Sequence, residues 1–174
     1  LFTMDITQLK KKSLEYRKII IEIIYNSNAG HTAGSLSCID IINVLYNDIL
    51  DITPDNFNSY DRNRYIQSKG HSVEALYTVL CDKGFFKKKD LDTLNNFDSH
   101  FIGHPTRKVN GIEHNSGALG HGLSVAVGMA LAYKMEAKPF KVFALLGDGE
   151  LSEGSIWEAC TTASKYQLDN LVVI

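Results

Sequence analysis

Two kinds of residue in this 174-residue sequence are placed to do chemistry: an aspartate held between glycines, and histidines that follow glycines. Gly147-Asp148-Gly149 comes directly after an apolar run, Val142 to Leu146. If that run is a strand of a parallel sheet, the turn lies beyond its carboxyl end, where such sheets bind ligands. The glycines let backbone approach a ligand closely, and the helix that follows offers unpaired amides to an anion. A phosphate there would repel a bare carboxylate. Asp148 therefore makes chemical sense with a hard divalent cation between the two, magnesium being the natural choice. The alternative is an aspartate that only caps the next helix. Glu150 and Glu153 follow, and both are accounted for as first-turn acids favoured by the helix dipole. Nothing local makes either one a base.

The histidines form the second group. Four of the six stand in Gly-His pairs: Gly30-His31, Gly70-His71, Gly103-His104 and Gly120-His121. Imidazoles at element ends suit a polar site lining and proton transfer near neutral pH. Zinc is a competing reading, but no two of these four have the helical spacing of a zinc protease and no CxxC partner is present. A Gly-x-Ser-x-Gly elbow and a phosphate loop ending in Gly-Lys-Ser/Thr are both missing. Gly117 to Gly122 imitates a dinucleotide glycine pattern, but no apolar strand precedes it.

The elements that must position these residues follow from periodicity. Thr7 to Asn28 reads as a helix with Tyr16, Ile20, Ile23 and Ile24 on one face, stopped by Gly30. A second helix, capped by Ser35 or Ser37, carries Cys38, Ile41, Ile42, Leu45 and Ile49. Asp51 to Asn63 is a polar loop. Arg64 to Gln67 is a short strand, and a third helix begins near Ser68-Lys69-Gly70-His71 and stops at Gly84. Asp90 to Asn95 adds one short helix. Asp98 to about Gly120 lacks periodicity, which in a packed domain marks a functional loop. Leu119 to Ala137 is a helix whose small residues permit close packing. Lys141 to Leu146, Glu153 to Tyr166 and Leu171 to Ile174 then form a βαβ unit, with parallel strands and a right-handed crossover.

Composition sets the bounds. An apolar content of 44% excludes disorder, and a net charge of -2 gives no field for a nucleic acid. No apolar run is long enough to cross a bilayer, and the first residues carry no signal-peptide pattern. Three widely spaced cysteines, Cys38, Cys81 and Cys160, argue against a disulfide framework and for a reducing, cytoplasmic setting. The length predicts one domain over residues 1–174, which composition leaves as α/β or α and the βαβ unit makes α/β. Leu1 is not an ordinary initiator, and the chain stops inside the β-branched run Leu171 to Ile174. A fragment, incomplete at its C-terminal end, is the expectation.

Five motifs in series are similar to the N-terminal, diphosphate-binding half of transketolases. They are Gly30-His31-Thr32-Ala33-Gly34-Ser35, Ser68-Lys69-Gly70-His71, Gly103-His104-Pro105, Gly117-Ala118-Leu119-Gly120-His121-Gly122 and Gly147-Asp148-Gly149-Glu150-Leu151-Ser152-Glu153-Gly154. The resemblance covers about Ile19 to Ile174, and in style it is nearest to bacterial transketolases split into two subunits. It implies a mostly parallel sheet flanked by helices, and transfer of a two-carbon ketol unit from a ketose phosphate to an aldose phosphate. A related thiamine reaction, such as deoxyxylulose-phosphate synthesis or transfer on an unusual sugar, is the close rival, and a non-catalytic assembly subunit is the distant one.

The same resemblance implies the cofactors thiamine diphosphate and Mg2+, with Asp148 as metal ligand and the Gly149 amide on the diphosphate beside Gly147. His71 would bond the diphosphate, and His31 and His104 would assist proton transfers. Gly117 and Leu119 would contact the aminopyrimidine through backbone groups, and Glu153 would join a carboxylate cluster at a subunit interface. The partner implied is a C-terminal subunit with the pyrimidine-binding domain, in a dimer of heterodimers. The family often has Gly-His-Pro-Gly-Gly where this chain has Gly-His-Thr-Ala-Gly, and Leu-Gly-Gln-Gly where it has Leu-Gly-His-Gly. Its further magnesium ligand, an asparagine, lies past the second strand of the βαβ unit. Its activating glutamate and phosphate-gripping arginines lie in the other half.

Overall fold

Alternation along one strand divides the core into two layers. In the computed structural model, which describes residues 4–174, Val142 and Ala144 pack with Leu123, Ala126, Ala130 and Ile156. Phe143 and Leu145 point the other way, among Ile20, Ile39, Leu76 and Leu80. All four residues are buried, as expected of a parallel strand covered on both faces.

That strand, β2 (Val142–Leu145), is the middle of three. On one side it pairs in parallel with β1 (Arg64–Gln67), Arg64 opposite Val142. On the other it pairs with β3 (Leu171–Val173), also in parallel, Val142 opposite Leu171. The predicted βαβ unit is thus present, with α6 (Gly154–Lys165) as its crossover helix. One face of the sheet carries α1 (Ile6–Ser27), α2 (Thr32–Val44) and α3 (Val73–Asp82). The other carries α5 (His121–Met135) and α6. A one-turn α4 (Lys88–Leu91) lies between α3 and the long loop.

Several boundaries differ from the sequence expectation. Helix α1 stops at Asn28 rather than Gly30: Asn28 takes a left-handed φ of 52° and its N–H donates to the Tyr25 carbonyl. Helix α2 begins at Thr32, with His31 at its N-cap, so neither Ser35 nor Ser37 caps it. It runs on into a wider π-type turn, Leu45–Ile49, which leaves Ile49 exposed. The short helix sits earlier than Asp90 to Asn95, because the Lys87 N–H donates to Asp90 Oδ2 at 2.8 Å and starts the turn there. The expected long loop is present: no helix or strand occurs between Asp92 and Gly120. Close packing by α5 is seen at Gly122, where a Cβ would lie 2.7 Å from the Ser68 Cα. Gly128, one of the same small residues, faces open space. The three cysteines are free.

Candidate functional site

Three histidines meet from three parts of the chain. His31 enters α2, His71 sits in a 3-10 turn (Gly70–Ser72) just past β1, and His104 comes from the long loop. The His31 ring centroid is 5.8 Å from that of His71 and 5.6 Å from that of His104. The long loop reaches this position only because two glycines let backbones touch. A Cβ on Gly70 would lie 2.8 Å from the Gly117 nitrogen, and one on Gly117 (φ 146°) would lie 3.0 Å from His104 Cδ2.

The cluster adjoins the Gly147-Asp148-Gly149 turn. A Cβ on Gly147 would be 3.9 Å from His71 Cε1 and 3.6 Å from the Lys69 Cβ. Lys69 is buried, and its Nζ donates to Ser37 Oγ at 3.2 Å. Partial burial lowers the His71 pKa, and the Lys69 charge and His31 push the same way. His71 is therefore a neutral imidazole at pH 7, able to donate from one nitrogen and accept at the other.

Asp148 and Gly149 are exposed at the carboxyl end of β2. Asp148 precedes a 3-10 turn (Gly149–Ser152), and its side chain makes no capping bond, so the capping alternative is not what the turn uses. Gly149 heads that turn, where an amide has no acceptor one turn back. Among the described residues, no group of three or more His, Cys, Asp or Glu side chains is arranged to hold a metal ion.

Glu150 is the first-turn acid expected, but it does more than answer a helix dipole. It is 1% exposed, and its carboxylate accepts three hydrogen bonds. Oε1 takes the Ser68 hydroxyl at 2.5 Å and the Gly120 amide at 2.8 Å, and Oε2 takes the Gly147 amide at 3.0 Å. One side chain thereby ties the end of β1, the start of α5 and the end of β2. It also uses the Gly147 N–H, which leaves Gly147 to contribute space rather than a donor. Charge-assisted bonds to backbone N–H groups compensate a buried carboxylate. The only local signal was the spacing of three between Gly147 and Glu150. Glu74, equally buried, was also missed; it accepts from the His31 amide and the Ser35 hydroxyl.

The remaining histidines lie apart from the trio. His121 is exposed, and its Nδ1 pairs with the Leu119 carbonyl at 3.0 Å. His114 is half-buried, and burial, followed by Arg107, lowers its pKa. His100 lines a surface depression of about 480 Å³ beside α4. Leu119 is half-buried in the turn before α5, and Glu153 is exposed at the entrance to α6, its Cβ against Gly120.

A family model described as "Transketolase, thiamine diphosphate binding domain" matches residues 10–174. The chain belongs to that family. As a transketolase-family domain it is 50% identical over 171 residues to one subunit of the apulose-4-phosphate transketolase of Phocaeicola vulgatus, covering 98% of this chain and 61% of that protein. It is 41% identical to 6-deoxy-6-sulfo-D-fructose transketolase subunit SqwG of a Clostridium species, covering 90% and 57%. Among solved structures, the transketolase of Campylobacter jejuni superposes with a TM-score of 0.89 at 32% identity, over 98% of this chain and 28% of that one. The chain therefore spans about three fifths of the split transketolase subunits it matches. The helix-flanked parallel sheet described above is shared with the Campylobacter structure, and the enzymes to which the related subunits belong are transferases.

Proposed function

We propose that this domain is the diphosphate-binding component of a thiamine diphosphate-dependent transketolase, moving a two-carbon ketol unit from a ketose phosphate to an aldose phosphate. The observation that carries the reading is the junction of the three-histidine cluster with the Asp148 turn at the carboxyl end of β2. The residues present fit the cofactor's chemistry. Lys69 supplies a buried cation for a diphosphate, Asp148 an exposed hard oxygen donor for Mg2+, and Gly149 a backbone amide at a turn head.

When bound, thiamine diphosphate supplies the thiazolium carbon acid and electron sink that ketol transfer requires. The protein's part is to hold, orient and move protons. His71, neutral at pH 7, would donate to the diphosphate. His31 and His104 would exchange protons with the sugar hydroxyls. Gly117 and Leu119 would present backbone groups to the aminopyrimidine, and the cradle would rest on the Glu150 tie.

The names of the relatives support two further parts of the proposal. Both similar proteins are called subunits, which favours a partner chain carrying the pyrimidine-binding domain, with Glu153 at the shared interface. A dimer of heterodimers in the cytoplasm is the assembly we propose. No described helix is long and apolar enough to cross a membrane. Both relatives are named for less common sugars, apulose 4-phosphate and a sulfonated deoxyfructose, which favours an unusual donor. The test is to assemble the full-length protein with its partner chain and assay a panel of ketose donors. Ketol transfer that appears only with thiamine diphosphate and Mg2+ is the expected result. Transfer indifferent to the cofactor would rule the reading out.

A further inference from the structure

Glu74 is the second buried carboxylate of the site, and the cofactor cradle does not use it. It lies in the first turn of α3 with no solvent exposure. Oε1 accepts the His31 backbone N–H at 3.2 Å, and Oε2 accepts the Ser35 hydroxyl at 2.7 Å. Oε1 also lies 3.8 Å from Nδ1 of the His31 ring. The loop before α2 is shaped around this carboxylate. At Gly30 (φ 153°) a Cβ would come within 2.9 Å of Oε1 and 2.8 Å of Ile24.

Two neutral donors offset only part of the cost of burying a carboxylate. Among the described residues, the one basic side chain within 4 Å of the Glu74 carboxylate is His31, which pairs as an ion only when protonated. His31 is also the ring that contacts both other histidines of the cluster. We propose that Glu74 and His31 form a carboxylate–imidazole dyad in which Glu74 is the positioning residue. The carboxylate fixes the entry to α2, and its charge, 3.8 Å from Nδ1 and beyond hydrogen-bond length, favours the ring proton on that nitrogen. Nε2 is then the nitrogen that takes up or delivers a proton. When Nε2 gains one, the imidazolium stands beside the Glu74 charge and no proton passes to the carboxylate. The catalytic part of this inference rests on His31 acting in proton transfer; the dyad itself does not.

The geometry supplies a clean variant. A glutamine at 74 keeps its oxygen on the His31 amide, while the Ser35 hydroxyl reverses and accepts from the new NH2. Glu74→Gln thus preserves shape and both bonds and removes only the charge. The experiment uses the full-length protein assembled with its partner and labelled with 15N-histidine, the His31 signals being assigned by their loss in His31→Ala. The wild type is expected to show the Nδ1-protonated pattern for His31, and Glu74→Gln a mixture of tautomers with an unchanged melting temperature. In the ketol-transfer assay, Glu74→Gln should lower kcat about tenfold with KM for cofactor and sugars little changed. Added to His31→Ala, it should have almost no further effect.

An Nε2-protonated His31 in the wild type would overturn the dyad, and this result does not depend on Glu74→Gln folding. So would a His31 spectrum untouched by Glu74→Gln, or a kcat loss equally large with and without His31. If the spectrum responds while His31→Ala leaves kcat intact, the dyad stands and the proton-transfer reading of His31 fails.

Discussion

The carboxylate of Glu150 accepts the amide hydrogen of Gly120 at 2.8 Å, joining residues 30 apart in sequence. With the bonds from Ser68 and Gly147 it leaves three donors on two oxygens. A glutamine there cannot satisfy them. If its oxygen takes Gly147, its NH2 faces the Gly120 N–H; if it is turned over, its NH2 faces the Gly147 N–H. Glu150→Gln should therefore destabilise the protein by about 1–3 kcal/mol, the cost of a buried donor left without an acceptor. Chemical denaturation checks this, with Ser68→Ala as the milder companion. The contrast with Glu74, where a hydroxyl can reverse, makes the prediction specific. Equal stability of Glu150→Gln and Glu74→Gln would contradict it.

Acid should weaken the fold through His71. Its folded-state pKa is lowered, by burial first and by Lys69 next. Below the ordinary histidine value the unfolded chain binds a proton that the folded site resists. Stability is thus lost as pH falls from the ordinary value, about 6.5, towards the lower folded one. His114 titrates in the same sense, also through burial. Thermal unfolding between pH 7.5 and 5.5 should show a decline that is shallower in His71→Gln. An identical slope in the variant would remove His71 from the account.

Gly117→Ala should separate packing from chemistry. The added methyl would sit 3.0 Å from His104 Cδ2 at a φ of 146°, so the ring or the loop must move. Overpacking of this kind costs about 1–3 kcal/mol. Activity should fall further than stability alone explains, because His104 is displaced from His31. A crystal structure of the variant would show the His31–His104 ring separation increased from 5.6 Å.

What was legible in the sequence was what depends on neighbours. The periodicity of Tyr16, Ile20 and Ile23 marked α1, and the apolar runs 142–146 and 171–174 marked two of the three strands. The Gly-His pairs pointed to a polar site, and three of the four converge. The fourth, Gly120-His121, does not, because the His121 ring turns back to the Leu119 carbonyl. The buried carboxylates could not be read in this way. Glu74 finds its partners 39 and 43 residues away, and Glu150 finds two of its three 30 and 82 residues away. No local pattern records such pairings. The same distance effect misassigned the α2 cap: Ser35 has the chemistry of a cap residue, but Glu74 claims its hydroxyl.

The central claim is that the turn at Asp148, beside the three histidines, holds thiamine diphosphate through Mg2+. Its most direct test is a calorimetric titration of the assembled full-length protein with thiamine diphosphate in Mg2+, comparing wild type with Asp148→Ala. Asp148 is exposed and makes no capping bond, so the variant should melt within a degree or two of wild type. The account predicts saturable binding in the wild type and at least a tenfold loss of affinity in the variant. Equal affinity in the two proteins, or no binding in the wild type, would contradict it.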